Sequence, residues 1–147
     1  MGLFSNILGG SSTPTNLDKQ ESFLGLIMSV VAADGHISEE EINDFNSFAN
    51  KSQILRGMSG NQFNSTIDKL FKILKRDGLD TLVDLCVAGL PAENREGVFA
   101  ICCDLLFSDG SVEREEEHLL ENLKVKLAIN DALAMKIVEV ISIKNKV

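Results

Sequence analysis

The sequence carries one pattern twice, as LGLIMSVVAADGHISEEE at residues 24–41 and as FAICCDLLFSDGSVEREE at residues 99–116. The two copies lie 75 residues apart, and each reads as an apolar helix, an Asp-Gly pair and an acidic helix start. Glycine directly after the apolar run suits the left-handed conformation that ends many helices. Each copy therefore predicts a helix–turn–helix unit, at about residues 23–50 and 98–127, and we expect the two units to pack about a pseudo-twofold axis.

The rest of the chain also has helical spacing, and no convincing alternation of period two predicts a strand. Pro91 is expected at the first helical position, where its missing N–H would have no intrahelical partner. Asn130 suits the N-cap of the last helix. The predicted helices cover about residues 17–33, 39–50, 60–76, 79–89, 91–108 and 114–127, with one more after Asn130. The sequence thus predicts the all-α class.

Residues 1–16 are expected to form an amphipathic segment and a flexible linker ahead of a single domain at 17–147. Leu3, Phe4, Ile7 and Leu8 share one side of a short helix, and GGSSTPTN follows. Three uses of this segment stay open: folding back on the domain, docking to a protein partner, or touching a membrane surface.

Composition narrows the class of function. The net charge of −8 argues against nucleic acid as a partner, and the absence of Trp and Tyr removes the usual stacking platforms. No apolar stretch approaches the ~20 residues of a membrane span, so we expect a cytoplasmic protein, with peripheral contact to the inner membrane left open. Cys86, Cys102 and Cys103 lie in apolar runs and are expected to be reduced core residues.

The Asp-Gly turns resemble the second half of a calcium-binding EF-hand loop. Asp34, Gly35, Ile37 and Glu41 match loop positions 5, 6, 8 and 12, and the second copy repeats the match. The residues at loop positions 1 and 3 have no side-chain oxygen; they are Val30 and Ala32 in one copy, Leu105 and Phe107 in the other. A conventional EF-hand is therefore excluded. Two carboxylates per turn would suffice for a weak site if carbonyls, waters or the other copy's acids completed the shell.

A purely structural interpretation competes with the metal site. In the first copy Ser38 and Glu41 form a capping box, with Ile37 and Ile42 as its hydrophobic staple. In the second copy Glu113 replaces the capping Ser38, and Glu117 replaces Ile42 of the staple. Helix capping therefore does not explain why the second copy keeps the acid pair Asp109 and Glu116. The candidate ligands are Asp34, Glu41, Asp109 and Glu116, followed by the weaker candidates Glu40, Glu115, Glu113 and His36. Two other polar residues have simpler expectations: His118 should be solvated, and Asp104 should face solvent or form a salt bridge.

The two stretches VVAADGHISEEE and DLLFSDGSVEREEE, with the opening MGLFSNIL, resemble the TerB family of tellurite-resistance proteins. The resemblance implies a compact bundle of about seven or eight helices and a cytoplasmic location in bacteria. It also implies divalent metal binding at the acidic turns, and action in stress-response systems around a membrane protein and calcium-binding partners. The family name describes a phenotype, and a carboxylate cluster should repel the tellurite oxyanion.

Two hypotheses follow from these observations. In the first, the four acids hold Ca²⁺, Mg²⁺, Mn²⁺ or Zn²⁺ and couple cation level to the docking of a protein partner, such as a membrane-associated stress complex. In the second, the chain is a metal-independent adaptor whose turns only shape the fold. An enzyme is not expected, because the sequence lacks a Ser/His/Asp set, a Cys/His set and a phosphate-binding loop. No organic cofactor is expected either.

Overall fold

The computed structural model describes residues 16–33, 51–107 and 114–147, and these ranges contain helices and no strand. The all-α prediction is therefore confirmed for the described part of the chain. The helices are α1 (Lys19–Val31), α2 (Gly60–Asp77), α3 (Leu79–Gly89), α4 (Arg95–Leu106), α5 (Arg114–Lys126) and α6 (Asp131–Lys144), with 3₁₀ turns at Gln53–Leu55 and Ala92–Asn94. The predicted helix at 39–50 and the segment 1–15 lie outside the described residues, so the total of seven or eight helices stays a prediction.

Helix α1 lies at the centre of the fold. Nine consecutive residues, Ser22–Val30, are buried, which is the pattern of a helix packed on all sides. α1 contacts α2, α3 and α4. A capping box fixes its start, because the Asp18 carboxylate accepts from the N–H of Glu21 at 2.8 Å and the Glu21 carboxylate accepts from the N–H of Asp18 at 3.0 Å. The helix predicted at 17–33 is thus confirmed, and it is two residues shorter at each end.

The contact between α1 and α3 is close because a glycine lies on each side of it. A Cβ added to Gly25 of α1 would lie 2.3 Å from the Cys86 sulfur of α3, and one added to Gly89 of α3 would lie 2.3 Å from the Leu17 carbonyl oxygen. Neither position has room for a side chain. The two backbones therefore approach more closely than larger residues would allow.

Helix α2 is amphipathic and is bounded by clear signals. The spacing of the apolar residues predicts this helix with an inward face of Phe63, Ile67, Leu70, Phe71 and Leu74. Ser59 and Gln62 form a capping box at its start, and Gly78 follows its end with φ +91°. Its inward face differs from the predicted one, because Thr66 and Ile73 are buried while Ile67 is only partly so. The inward face therefore follows where α1 and α3 lie, which the apolar spacing alone did not reveal.

The prediction that Pro91 opens a long α-helix is wrong. Pro91 has φ −60° but ψ 146°, an extended conformation, and it precedes a 3₁₀ turn at Ala92–Asn94. The α-helix begins only at Arg95. The fixed φ of proline suits either kind of turn, so the residue signalled a start without specifying which helix began there.

The last two helices are joined by a tight connection. Two residues after the end of α5, Ala128 lies in the left-handed region at φ 58°. The N–H of Ile129 donates to the Lys124 carbonyl at 2.9 Å. The side chain of Asn130 then accepts from the N–H of Leu133 at 2.7 Å, which confirms its predicted role as the N-cap of α6. Lys124 also pairs with Asp131 at 3.0 Å, so α5 and α6 are tied together at this corner.

The three cysteines are free and buried, as predicted. Burial raises the pKa of Cys86 to about 12 and that of Cys103 to about 12, and it raises the pKa of Cys102 as well. These thiols are therefore protonated near neutral pH.

Among the described helices, none combines the length and apolar character that a membrane span requires.

Candidate functional site

The two buried helices that lead into the Asp-Gly turns end at equivalent positions. α1 ends at Val31 and α4 at Leu106, which are 75 residues apart, the same interval as in the sequence repeat. The next residue has φ −87° and ψ 2° in the first copy, at Ala32, and φ −92° and ψ 3° in the second, at Phe107. The chain therefore leaves both helices in the same way.

Hydrogen bonding at the two helix ends repeats as well. The N–H of Ala32 donates to the Met28 carbonyl at 2.8 Å, and the N–H of Phe107 donates to the Cys103 carbonyl at 3.0 Å. Helices α1 and α4 pack directly against each other. The local geometry of the repeat is thus present in the described residues, while the pseudo-twofold axis relating the complete units stays a prediction.

The surroundings of the two ends differ. Next to the second turn, Asp104 of α4 pairs with Lys144 of α6 at 2.8 Å, and an ion pair was one of the two outcomes expected for Asp104. The Asn145 side-chain amide also donates to the Phe107 carbonyl at 3.0 Å. In the first copy the residue equivalent to Asp104 is Ser29, which is buried and donates to the Gly25 carbonyl at 2.7 Å. The end of α6 therefore contacts the end of α4, whereas α1 ends at Val31, which is partly buried.

The electrostatic character of these two ends favours a cation. α1, α3 and α4 have no basic residue in their last turns, whereas the last turns of α2, α5 and α6 contain Lys or Arg. Of the three helices that lack a basic residue there, α1 and α4 are the two that an Asp-Gly pair follows. The C-terminus of a helix carries about half a negative charge. At α1 and α4 this charge is not offset within the helix itself, and both helices lead toward an Asp-Gly pair.

Two of the candidate ligands lie within the described residues. Glu116 is partly buried in the first turn of α5, while Glu115 is exposed. His118 is exposed, as expected. The other candidates lie outside the described residues: Asp34, His36, Glu40, Glu41, Asp109 and Glu113. Within 16–33, 51–107 and 114–147, no group of three or more His, Cys, Asp or Glu side chains could hold a metal ion. Convergence of the four acids is therefore still a prediction.

Two residues that contact the end of α4, Lys144 and Asn145, have no sequence pattern that predicts these contacts. Lys144 and Asn145 lie about 40 residues beyond α4 in the chain, and their contacts depend on how α6 packs across α4. A lysine and an asparagine at the end of a helix are common on their own account, since both suit a helix C-terminus. Only the packing of α6 shows that they anchor the end of α4.

A comparison with protein families decides the family. The model of the family described as tellurite resistance protein TerB matches residues 20–137. The chain belongs to the TerB family. The TerB match extends from the first turn of α1 into the middle of α6, so it includes both Asp-Gly turns and confirms the resemblance. Comparison with curated proteins gave no match, and comparison with solved structures gave none.

Proposed function

We propose that this TerB-family chain is a non-enzymatic, cytoplasmic binding domain of a tellurite-resistance-like stress response, and that its two Asp-Gly turns hold a divalent cation. The proposed ligands are Asp34, Glu41, Asp109 and Glu116. Carboxylate and carbonyl oxygens favour the hard ions Ca²⁺, Mg²⁺ and Mn²⁺, with Zn²⁺ as a further candidate. The observation that carries the proposal is the pair of equivalent helix ends, which lack basic residues and lead into the same acidic pattern.

Cation binding would be coupled to the docking of a protein partner through α6. Lys144 and Asn145 connect the end of α6 to Asp104 and Phe107, the residues just before the second turn. A change in the second turn would therefore alter how α6 lies on α4. The same helix exposes apolar side chains to solvent, including Met135 at 72% and Ile143 at 59%, as a surface that docks a partner would.

The test is an NMR titration of the metal-free protein with Ca²⁺, Mg²⁺, Mn²⁺ and Zn²⁺, each added separately. In the wild type we expect the amide signals of Gly35 and Gly110 to shift or broaden saturably with at least one ion. The double variant Asp34→Asn and Asp109→Asn should leave these signals in place. NMR suits the chain because it has no Trp or Tyr to report binding by fluorescence.

A matched control separates a specific site from general loss of negative charge. Asp68 and Asp80 are exposed residues of α2 and α3, so the double variant Asp68→Asn and Asp80→Asn removes the same charge away from the turns. It should bind the cation as the wild type does. Equal weakening in both double variants would mean that the ion is attracted by net charge alone, and the proposed site would be wrong.

The metal-independent adaptor is the second candidate, and the exposed apolar residues of α6 favour it. Met135 and Ile143 are each more than half exposed, and a partner could use this surface with no ion present. If neither Gly35 nor Gly110 responds to any of the four ions at millimolar concentration, the turns are structural and the adaptor is the better description.

A further inference from the structure

A groove with a mainly apolar lining lies between α4 and α6. The family match does not indicate what would bind in it. The lining of the groove combines α4 residues with residues from the middle and the end of α6, and apolar side chains predominate. The lining residues are Ala100, Ile101, Asp104, Lys136, Ile137, Val140, Ile141 and Lys144. Asp104 and Lys144 neutralise each other at 2.8 Å, so the groove presents little net charge beyond Lys136. A suitable occupant is therefore apolar and uncharged along its side chains.

The first eight residues of the same chain have that chemistry. MGLFSNIL contains no charged side chain, although about a quarter of the whole chain is charged, at 24%. Leu3, Phe4, Ile7 and Leu8 lie on one side of a helical wheel. Both this segment and most of the α6 side of the groove lie outside residues 20–137, the range of the TerB match.

The tether between the segment and the domain is long enough. Leu17 is buried, and its carbonyl lies against Gly89 at the end of α3, so the tether starts there. From Gly89 to Ala100 the chain runs through a 3₁₀ turn and the first part of α4, a path of at most about 24 Å. The nine steps from Leu8 to Leu17 can span about 30 Å when extended. The segment can therefore reach the groove of its own chain.

Tethering also favours this occupant over a second copy of the protein. A flexible linker of this length gives a local concentration in the millimolar range. At micromolar protein concentration, the segment of another chain is far more dilute than the chain's own. We propose that residues 3–8 pack in the α4–α6 groove of the same chain. This contact needs no metal ion, so it stands or falls independently of the proposed cation site.

The experiment places a nitroxide spin label on the segment and observes the groove by NMR. Ser5→Cys puts the label opposite the apolar residues on the wheel. The native thiols should stay unlabelled because all three are buried and burial raises their pKa values. We expect the amide signals of Ile101 and Val140 to lose most of their intensity, while signals of α2 keep theirs.

Two variants and a mixed sample make the result decisive. Phe4→Asp on the segment and Val140→Asp in the groove should each restore the lost intensity. The matched control Met135→Asp should not restore it, because Met135 is an exposed α6 residue that does not line the groove. A mixture of labelled, NMR-silent chains with unlabelled, ¹⁵N-enriched chains should show no loss. Broadening in that mixture would mean that the segment of a second copy fills the groove. Uniform or absent broadening in the first sample would mean that residues 3–8 do not occupy the groove. Either result would overturn the proposal.

Discussion

Replacing Gly25 with alanine should destabilise the protein even though alanine is the better helix former. Gly25 lies inside α1, where alanine is favoured by about 0.8–1.0 kcal/mol on propensity alone. The added Cβ would, however, lie 2.3 Å from the Cys86 sulfur and 3.1 Å from Cδ2 of Leu70. Both of these side chains are fully buried, at 0% exposure. The overlap must therefore be relieved by moving α1 away from α3 or by moving Cys86 within a filled core.

The expected size follows from these opposing effects. Overpacking a filled core costs about 1–3 kcal/mol, and the short sulfur contact with a second neighbour at 3.1 Å places Gly25→Ala near the upper end. After the gain in propensity, the net loss in unfolding free energy is about 2 kcal/mol. With Cys86→Ala the sulfur is gone, so Gly25→Ala should then be neutral or stabilising by up to about 1 kcal/mol. The coupling between the two positions is thus about 2–3 kcal/mol.

The assay is urea unfolding followed by far-UV circular dichroism, in reducing buffer, on the wild type, both single variants and the double variant. With a slope of about 2 kcal/mol/M, Gly25→Ala should lower the midpoint by about 1 M. Cys86→Ala alone should cost about 1 kcal/mol, since it removes one buried heavy atom. If Gly25→Ala is as damaging with alanine at position 86 as with cysteine, the sulfur contact is not the cause and the reasoning is refuted.

Three other predictions each concern a single residue and use the same unfolding assay. Gly89→Ala should destabilise by about 3 kcal/mol or more, because its Cβ would meet the Leu17 carbonyl oxygen at 2.3 Å and a backbone atom cannot rotate away; a loss under 1 kcal/mol would contradict this close approach. Ala128→Gly should stabilise by about 0.5–1 kcal/mol, because Ala128 has φ 58° and glycine adopts this conformation without strain; no gain in midpoint would count against it. For Glu21, burial raises the pKa but the hydrogen bond from Lys69 and the charge of that residue help to outweigh it, so the pKa lies below 4.5. The stability that Glu21 contributes is present above 4.5 and is lost as the pH falls through the lowered pKa. Glu21→Gln should therefore be less stable than wild type at pH 7, with a difference that narrows toward pH 3; a constant difference would show that ionisation plays no part.

The helices were predictable from sequence where local chemistry specifies them. Asn130 was recognised as a cap, and the end of α3 at Gly89 followed from composition. Pro91 was misread because proline favours the start of both 3₁₀ and α-helical turns. The inward face of α2 was only partly predicted, since the burial of Ile73 depends on where α1 and α3 lie. The contact of Gly25 with Cys86 joins residues about 60 positions apart, and no local pattern predicts it.

For the candidate site, the acidic residues were recognised in the sequence, whereas the geometry of the two helix ends that precede them was visible only in the structure. The two buried helices that precede the Asp-Gly pairs do end alike, at Ala32 and Phe107, while the repeat of the complete units stays a prediction. Both last turns lack basic residues, but so does that of α3, so this feature is informative only together with the Asp-Gly pair that follows α1 and α4. The role of Asn145 depends on tertiary packing and could not be predicted.

The burial of α1 has a consequence for how the protein is made. Nine consecutive residues of this helix are enclosed in the finished fold, yet its closest partner, α3, ends only at Gly89. A ribosome adding 5–20 residues per second needs roughly 3–12 s to make the ~60 residues in between. During that interval α2 can cover only part of this helix, so apolar surface of residues 22–30 stays exposed on the nascent chain. Chains truncated before α3 should therefore expose residues 22–30 and aggregate.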